Sequence, residues 1–78
     1  MAQNINQIEN NRINTDDIAF SAWLKICGYH LIKSDRTKSK QIFFFDIGYE
    51  KEEQLKVKFI NSDFLSFYNE LRNLKKLI

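Results

Sequence analysis

The sequence predicts a small α+β domain in which an N-terminal helix, a three-stranded antiparallel meander and a C-terminal helix follow one another (α-β-β-β-α). Three observations predict this order: a capped apolar segment at 15–28, a run of strand-forming residues at 41–47, and an amphipathic segment after residue 61. Helices and strands that are grouped along the chain in this way are typical of α+β domains. The 78 residues suffice for one domain, which we place at 15–78.

The first helix is predicted from signals at both of its ends. Thr15 is a suitable N-cap, Asp16 and Asp17 place negative charge at the positive end of the helix dipole, and Gly28 closes the helix. Few polar residues lie between these ends. A helix that is apolar on most of its surface is normally covered on more than one side, so other parts of the chain or a second chain should surround it.

The strongest strand signal is QIFFFDI at 41–47. Its side chains alternate between two faces, one with Ile42 and Phe44 and the other with Phe43, Phe45 and Ile47. Because both faces are apolar, this strand is expected in the middle of the sheet. Residues 29–35 are predicted to form the strand before it, and residues 36–40 a polar, basic loop between the two.

A third strand is predicted at 55–60, after an acidic turn at 48–53. Here apolar residues alternate with Lys56 and Lys58, which is the pattern of a half-buried edge strand. The face of the sheet that packs against the helices is therefore expected to contain Phe43, Phe45, Ile47, Leu55, Val57 and Phe59.

The last element is predicted to be a helix that begins at Asn61 or Ser62, either of which can cap it, and runs to residue 78. Its apolar stripe recurs every three or four residues and consists of Phe64, Phe67, Leu71, Leu74 and Ile78, widened by Tyr68 and Leu77. Basic residues in its last turns complement the negative end of the helix dipole.

Residues 1–14 are rich in Asn and Gln and are predicted to form a disordered tail. In an alternative interpretation, this segment becomes ordered against a partner through Ile5, Ile8 and Ile13. The sequence shows no signal peptide and no run that approaches the ~18 apolar residues of a membrane span. We therefore expect a cytoplasmic protein that does not contact a membrane.

The residues that carry chemistry are too few to predict an enzyme. Cys27 is the single cysteine; we expect it to be a small core residue, and this cysteine usage fits a reducing compartment. His30 is the single histidine, whereas metal sites normally require several ligands at defined spacing. The acidic residues around 50–53 are expected to be solvated. The sequence thus predicts no catalytic residue, no metal site and no cofactor.

The outer face of the sheet carries the most specific functional signal. An aromatic ring flanked by cations suits single-stranded nucleic acid, because bases stack on the ring and phosphates meet the cationic groups. The candidate contacts are Lys33, Arg36, Lys38, Lys40, Phe44, Lys56 and Lys58. No recognition helix for the major groove is evident, so single strands are favoured over duplexes. The sequence thus predicts a small nucleic-acid-binding accessory protein.

Two other interpretations of the same face remain open. A second subunit can bury Ile42 and Phe44, which predicts a homodimer whether or not nucleic acid also binds. Alternatively, the chain is a protein-interaction module, such as a phage-type inhibitor or a subunit of a larger assembly. In that case the apolar face, the Asn-rich tail or the acidic turn at 50–53 contacts the other protein.

The stretches TDDIAFSAWLKICGYHLI and FYNELRNLKKLI resemble the two ends of a small prokaryotic family, described as a domain of unknown function. The matching residues are Thr15, Asp16, Ala19, Gly28 and Tyr29 at the start, Phe43, Phe45 and Asp46 in the middle, and Leu71, Arg72, Leu74, Lys75, Leu77 and Ile78 at the end. The resemblance covers about residues 15–78, with a shorter connection after Asp46 than the family has. It implies a shared fold and a mobile-element or phage-like context, and it brings no catalytic residues.

Overall fold

The computed structural model describes residues 10–78, and its central element is the strand β3 (Gln41–Gly48). β3 pairs antiparallel with β1 (Asn11–Thr15) on one side and with β2 (His30–Arg36) on the other, which gives the strand order β1-β3-β2. β1 and β2 therefore run parallel to each other with β3 between them. The helix α1 (Ile18–Ile26) connects them, as parallel strands require a crossover connection.

Two more helices, α2 (Glu52–Ile60) and α3 (Asp63–Lys75), follow β3. The α+β class, the three-stranded antiparallel sheet and the central position of the strand at 41–47 are confirmed. The predicted order α-β-β-β-α is wrong at two places, because a strand precedes the first helix and the predicted third strand is a helix. The observed order is β-α-β-β-α-α.

The two faces of β3 alternate as the sequence predicted. Phe45 and Ile47 are fully buried beneath the helices, and Phe43 packs against the edge of the same core. Ile13 of β1 and Leu31 of β2 are the cross-strand partners of Phe45. Because directly paired side chains lie on one face of a sheet, these residues form an apolar row across all three strands. The helices complete the core with Ala19, Phe20, Trp23, Leu24, Leu55 and Phe59.

β1 corrects part of the predicted disordered tail. Residues 1–9 of that tail, with Ile5 and Ile8, lie outside the described residues, but Asn11–Thr15 are a strand and Ile13 is only 7% exposed. The composition of this segment misled the prediction, because the strand depends on backbone pairing with β3 and on one buried side chain. Such a partner, distant along the chain, leaves no mark on local composition.

α2 replaces the predicted strand at 55–60. Leu55 and Phe59 are buried, whereas Val57 is 57% exposed, so burial follows a spacing of four residues and not of two. Apolar residues at every second position fit a strand, with a spacing of two, and also a helix, with a spacing of four. The flanking charges decide between the two structures. Glu52 and Glu53 occupy the first helical turn, and the Glu52 carboxylate lies 3.0 Å from the Lys56 ammonium one turn later. The acidic run therefore begins a helix.

The N-terminus of α1 is capped by Asp17 and not by Thr15. The Asp17 carboxylate accepts hydrogen bonds from the backbone N–H groups of Ala19 and Phe20 at 2.9 and 3.0 Å. The Thr15 hydroxyl instead accepts a hydrogen bond from the Asp17 N–H at 3.0 Å. Gly28 follows the helix with φ of +96°, the left-handed conformation that its predicted closing role requires.

The covering of α1 is close to the prediction for an apolar helix. It packs on β1 and β2 and also on α2 and α3, and the rings of Phe20, Trp23 and Phe59 lie 5.2–6.0 Å apart at the junction with α2. Its C-terminal end extends beyond these contacts, where Ile26 is 70% exposed. Cys27 is exposed for the same reason, so the prediction that it lies in the core is wrong.

The residues of α3 that pack against the core lie in its first half. The Ser62 hydroxyl accepts a hydrogen bond from the Leu65 N–H at 3.2 Å, which confirms one of the two predicted caps. Phe64, Leu65 and Tyr68 are half-buried against the core, but no residue of α3 is fully buried. The helix ends at Lys75, three residues before the predicted end.

The structural role of β1 can be tested at Ile13. Replacement by alanine removes a buried side chain from the row beside Phe45, so Ile13→Ala should lower the free energy of unfolding by about 2–4 kcal/mol in a urea titration. Ile18, 61% exposed, is the matched control, and Ile18→Ala should change stability by less than ~0.5 kcal/mol. Equal effects of the two substitutions would contradict the assignment of this segment to a strand and would support a disordered tail.

Candidate functional surfaces

The side of the sheet away from the helices is open among the described residues, and we call it the open sheet face. The strand pairing places eight side chains on it, namely Arg12, Asn14, His30, Lys33, Asp35, Ile42, Phe44 and Asp46. Ile42 and Phe44 are half-buried there, and neither packs against the core under the helices. The sequence prediction that these two side chains face away from the core is thus confirmed.

Phe44 and Lys33 are brought together on this face. The Lys33 ammonium lies 4.9 Å from the centroid of the Phe44 ring, a cation–π distance, and 3.2 Å from the Asp35 carboxylate. A β-bulge between Leu31 and Lys33 produces this contact. Strict alternation would turn Lys33 to the same side as Leu31, and the extra residue redirects it to Phe44.

The charges on the open sheet face nearly cancel. Arg12 and Lys33 are matched by Asp35 and Asp46, and His30 is the cross-strand partner of Asp46. The Asn10 amide donates a hydrogen bond to the Asp46 carboxylate at 2.9 Å, and the Gly48 N–H donates another at 2.9 Å. These bonds, the Asn10 bond first, hold the pKa of Asp46 below its usual range. The face is therefore polar and aromatic without being strongly basic.

The other basic candidates of the β2–β3 hairpin lie away from Phe44. Arg36 pairs with Gln41, which places it on the helix side of the sheet, and Lys38 lies in the connecting loop. The Lys40 ammonium is 3.1 Å from the Asp16 carboxylate, and its hydrogen bond lowers the pKa of Asp16. Arg36 and Lys40 line an open cleft of about 490 Å³ there.

Lys56 and Lys58 do not belong to the sheet at all, so their assignment to its outer face is wrong. Both are exposed on α2, and Lys56 pairs with Glu52. The cause is the helical conformation of this segment, which the alternation of apolar and basic residues concealed. Of the seven predicted contacts, the structure therefore brings only Lys33 and Phe44 together. It adds Arg12 from β1, which the prediction of a disordered tail had hidden.

A second surface lies on α3 and on the residues that directly follow it, and we call it the α3 stripe. Every residue from 69 to 78 is exposed, including the apolar ones. Phe67 is 64% exposed, Leu74 58% and Leu77 82%, and their proximity to one another makes them a patch of exposed apolar surface. The α3 stripe consists of Phe67, Leu71, Leu74, Leu77 and Ile78. The sequence predicted all five on one helix, but Leu77 and Ile78 lie beyond its end, and the structure leaves the stripe between 38% exposed at Leu71 and fully exposed at Ile78.

Polar groups elsewhere are dispersed. In residues 10–78, no three His, Cys, Asp or Glu side chains converge into a possible metal site. No helix in that part of the chain combines the length and the apolar composition needed to cross a membrane. The open sheet face and the α3 stripe are therefore the surfaces with the most functional content.

The hydrogen bonds around Asp46 predict a dependence of stability on pH. A carboxyl group whose pKa is depressed in the folded state stabilises the fold above its unfolded pKa of about 3.9, and this contribution disappears as the pH falls through the folded value. Asp46→Ala should therefore unfold at lower urea concentration than the wild type at about pH 7, and the difference should shrink below about pH 4. A difference that grows in acid would contradict this assignment.

Comparison with known sequences and structures identifies the family to which the chain belongs. No curated protein matches the chain, and no solved structure matches it either. A family profile described as "Domain of unknown function (DUF5659)" matches residues 10–78. The match begins just before β1 and extends through α3, so it includes every described strand and helix. The chain therefore belongs to the DUF5659 family, which is a domain of unknown function as predicted.

Proposed function

We propose that this chain is a protein-interaction module that contacts its partner through the α3 stripe. The observation that carries the proposal is the exposure of the stripe. Phe67 and Leu74 on α3 are 64% and 58% exposed, Leu71 between them is 38% exposed, and Leu77 and Ile78 extend the apolar surface just beyond the end of the helix. Contiguous apolar patches of this kind on small domains mark interaction sites. Single exposed apolar residues, by contrast, are normal and need no partner.

The energetics of α3 support the same conclusion. The helix has 13 residues, and isolated helices shorter than about 12–15 residues are marginal in water. Its first turns gain stability from the Ser62 cap and from Phe64 and Tyr68, whose rings stack at 6.3 Å. Its later turns gain little from their own chain. A partner that buries the stripe contributes about 1.5–3 kcal/mol for each fully buried Leu or Phe.

The proposal can be tested without knowing the partner. A photo-crosslinking amino acid at Leu74 should yield a discrete covalent adduct when the chain is irradiated in the cells that produce it. The same group at Asn69, exposed on the opposite side of α3, is the matched control and should yield none. Absence of an adduct from Leu74, or the same adduct from both positions, would contradict the proposal.

The second candidate function is binding of single-stranded nucleic acid on the open sheet face. The specific support is the Lys33 ammonium at 4.9 Å from the Phe44 ring, on a sheet side that no described helix covers. A base stacked on such a ring contributes about 1–3 kcal/mol. Arg12 and Lys33 are the cations available for phosphates, and the nearby carboxylates weaken their field. Stacking would therefore supply more of the affinity than charge.

This second candidate predicts weak salt dependence. With two phosphate contacts, the slope of log K against log salt for a single strand should be about −1.4. Fluorescence anisotropy with labelled single-stranded DNA, single-stranded RNA and duplex DNA measures this slope. Phe44→Ala should weaken single-strand binding by roughly 5- to 150-fold, and Phe67→Ala, on the other surface, should leave it unchanged. Absence of binding at low salt, or equal loss from both variants, would exclude this function.

A further inference from the structure

We infer that the free edge of β2 binds an extended segment of another protein as an added strand, and that this segment carries a large apolar side chain two residues away from a carboxylate. The inference goes beyond the proposed function, because it concerns a different surface and does not involve the α3 stripe. Its three supports are the unpaired backbone of β2, the groove beside this strand and the charge of Arg36.

β2 is an edge strand. β3 pairs with one side of it, and among residues 10–78 no strand pairs with its other side. The Thr37 N–H donates a hydrogen bond to the Lys40 carbonyl at 2.8 Å, directly beyond the last paired residues of β2 and β3. Because hydrogen-bonded and non-hydrogen-bonded pairs alternate along an antiparallel ladder, the pairs that Ser34 and Arg36 form with β3 are not hydrogen-bonded. The N–H and C=O groups of Ser34 and Arg36 are therefore directed to the free edge.

The free edge is regular on the hairpin side of its bulge. The bulge lies between Leu31 and Lys33, and the later residues of β2 pair one to one with β3. Charged side chains on an edge strand normally oppose the addition of another strand. The Lys33 ammonium and the Asp35 carboxylate lie only 3.2 Å apart on the open sheet face, so their charges offset each other. An added strand therefore meets mainly the charge of Arg36, on the helix side.

A groove runs beside β2 on the helix side of the sheet. α1 borders it with Ile18 and Ala22, and the sheet borders it with Leu31 and Phe43. Its volume there is about 260 Å³. Toward the hairpin it continues into the cleft of about 490 Å³ that contains Arg36, since Ile18 and Phe43 line both. Side chains of an added strand can therefore enter a groove that is apolar at one end and cationic at the other.

The rows of the sheet determine which side chains the segment needs. Ser34 and Arg36 are exposed on the helix side of β2, as the cross-strand partners of Phe43 and Gln41. Each row continues onto an added strand, where alternate side chains lie about 6.6–6.8 Å apart. Only the short Ser34 side chain separates the first position from Phe43, so this position favours a large apolar residue. The next favours a carboxylate, because within residues 10–78 the Arg36 guanidinium forms no ion pair.

Peptide binding to the full chain tests the inference. The probe is a fluorescein-labelled peptide, Thr-Val-Glu-Val-Leu-Val-Glu-Val-Thr. Its central Leu has a Glu two residues away on each side, so the required pair of side chains is present in either strand direction. Fluorescence anisotropy should rise to saturation as protein is added, with a Kd below about 1 mM. No rise at about 1 mM protein would overturn the inference.

Ser34→Pro tests the backbone contact. Proline removes the N–H that is directed to the free edge and leaves the ladder with β3 intact, since edge strands tolerate proline where the N–H faces solvent. This variant should bind the probe at least about tenfold more weakly, with its fold checked by circular dichroism. Ser34→Ala keeps the N–H, is the matched control and should bind within about twofold of the wild type. Equal binding by the two variants would contradict strand addition.

Arg36→Glu tests the charge without changing the backbone. It should weaken binding of the probe at least about tenfold, and a probe with Lys in place of both Glu residues should restore it. Lys33→Glu makes the same change of net charge on the open sheet face and should weaken binding by less than about threefold. Equal losses in the two variants, or no rescue by the Lys probe, would overturn the role of Arg36.

The same measurements distinguish other occupants of the edge. If a second copy of the chain were paired there, analytical ultracentrifugation without peptide would give twice the 9.4 kDa of one copy, and Ser34→Pro would return the mass to one copy. That result would overturn the inference. Leu74→Glu, in the α3 stripe, should leave peptide binding unchanged. Failure of the proposed function at Leu74 is therefore separable from failure of strand addition at β2.

Discussion

The fold depends on the pairing of β3 with a strand on each side. This pairing satisfies the backbone of β3 and aligns Ile13, Phe45 and Leu31 in one apolar row, onto which α1 packs. α2 then covers α1 through the contact between Phe59 and the rings of Phe20 and Trp23. α3, the last element, packs on α1 and α2 and is the only described helix without a fully buried residue. The exposed α3 stripe is the physical consequence of that order.

Local signals predicted the elements whose determinants lie within themselves. The strand at 41–47, the strand before it, the Ser62 cap and the closing role of Gly28 could all be identified from neighbouring residues. β1 could not, because its partner is distant along the chain. α2 could not be distinguished from a strand, because apolar residues at 55, 57 and 59 fit the periods of both a helix and a strand. Only the exposure of Val57 in the structure decides for the helix.

The predicted site residues were partly wrong for the same two reasons: β1 was predicted to be a disordered tail, and α2 was predicted to be a strand. The helical conformation of α2 removes Lys56 and Lys58 from the sheet, and β1 adds Arg12 to it. Lys33 reaches Phe44 only because a bulge redirects it, and a bulge cannot be deduced from alternation. The result is a face of balanced charge. A protein-interaction role consequently has stronger physical support than the basic platform that the sequence predicted, and nucleic-acid binding becomes the second candidate.

The central claim is that β3 is stabilised by its own chain, whereas the later turns of α3 require a partner. Hydrogen–deuterium exchange of backbone amides, measured on the isolated chain in dilute solution, tests it most directly. β3 should be protected. Residues 69–75 should exchange much faster than β3, because their own chain leaves them exposed. Equal protection of these residues and β3 in dilute solution would contradict the claim, because α3 would then be held by its own chain.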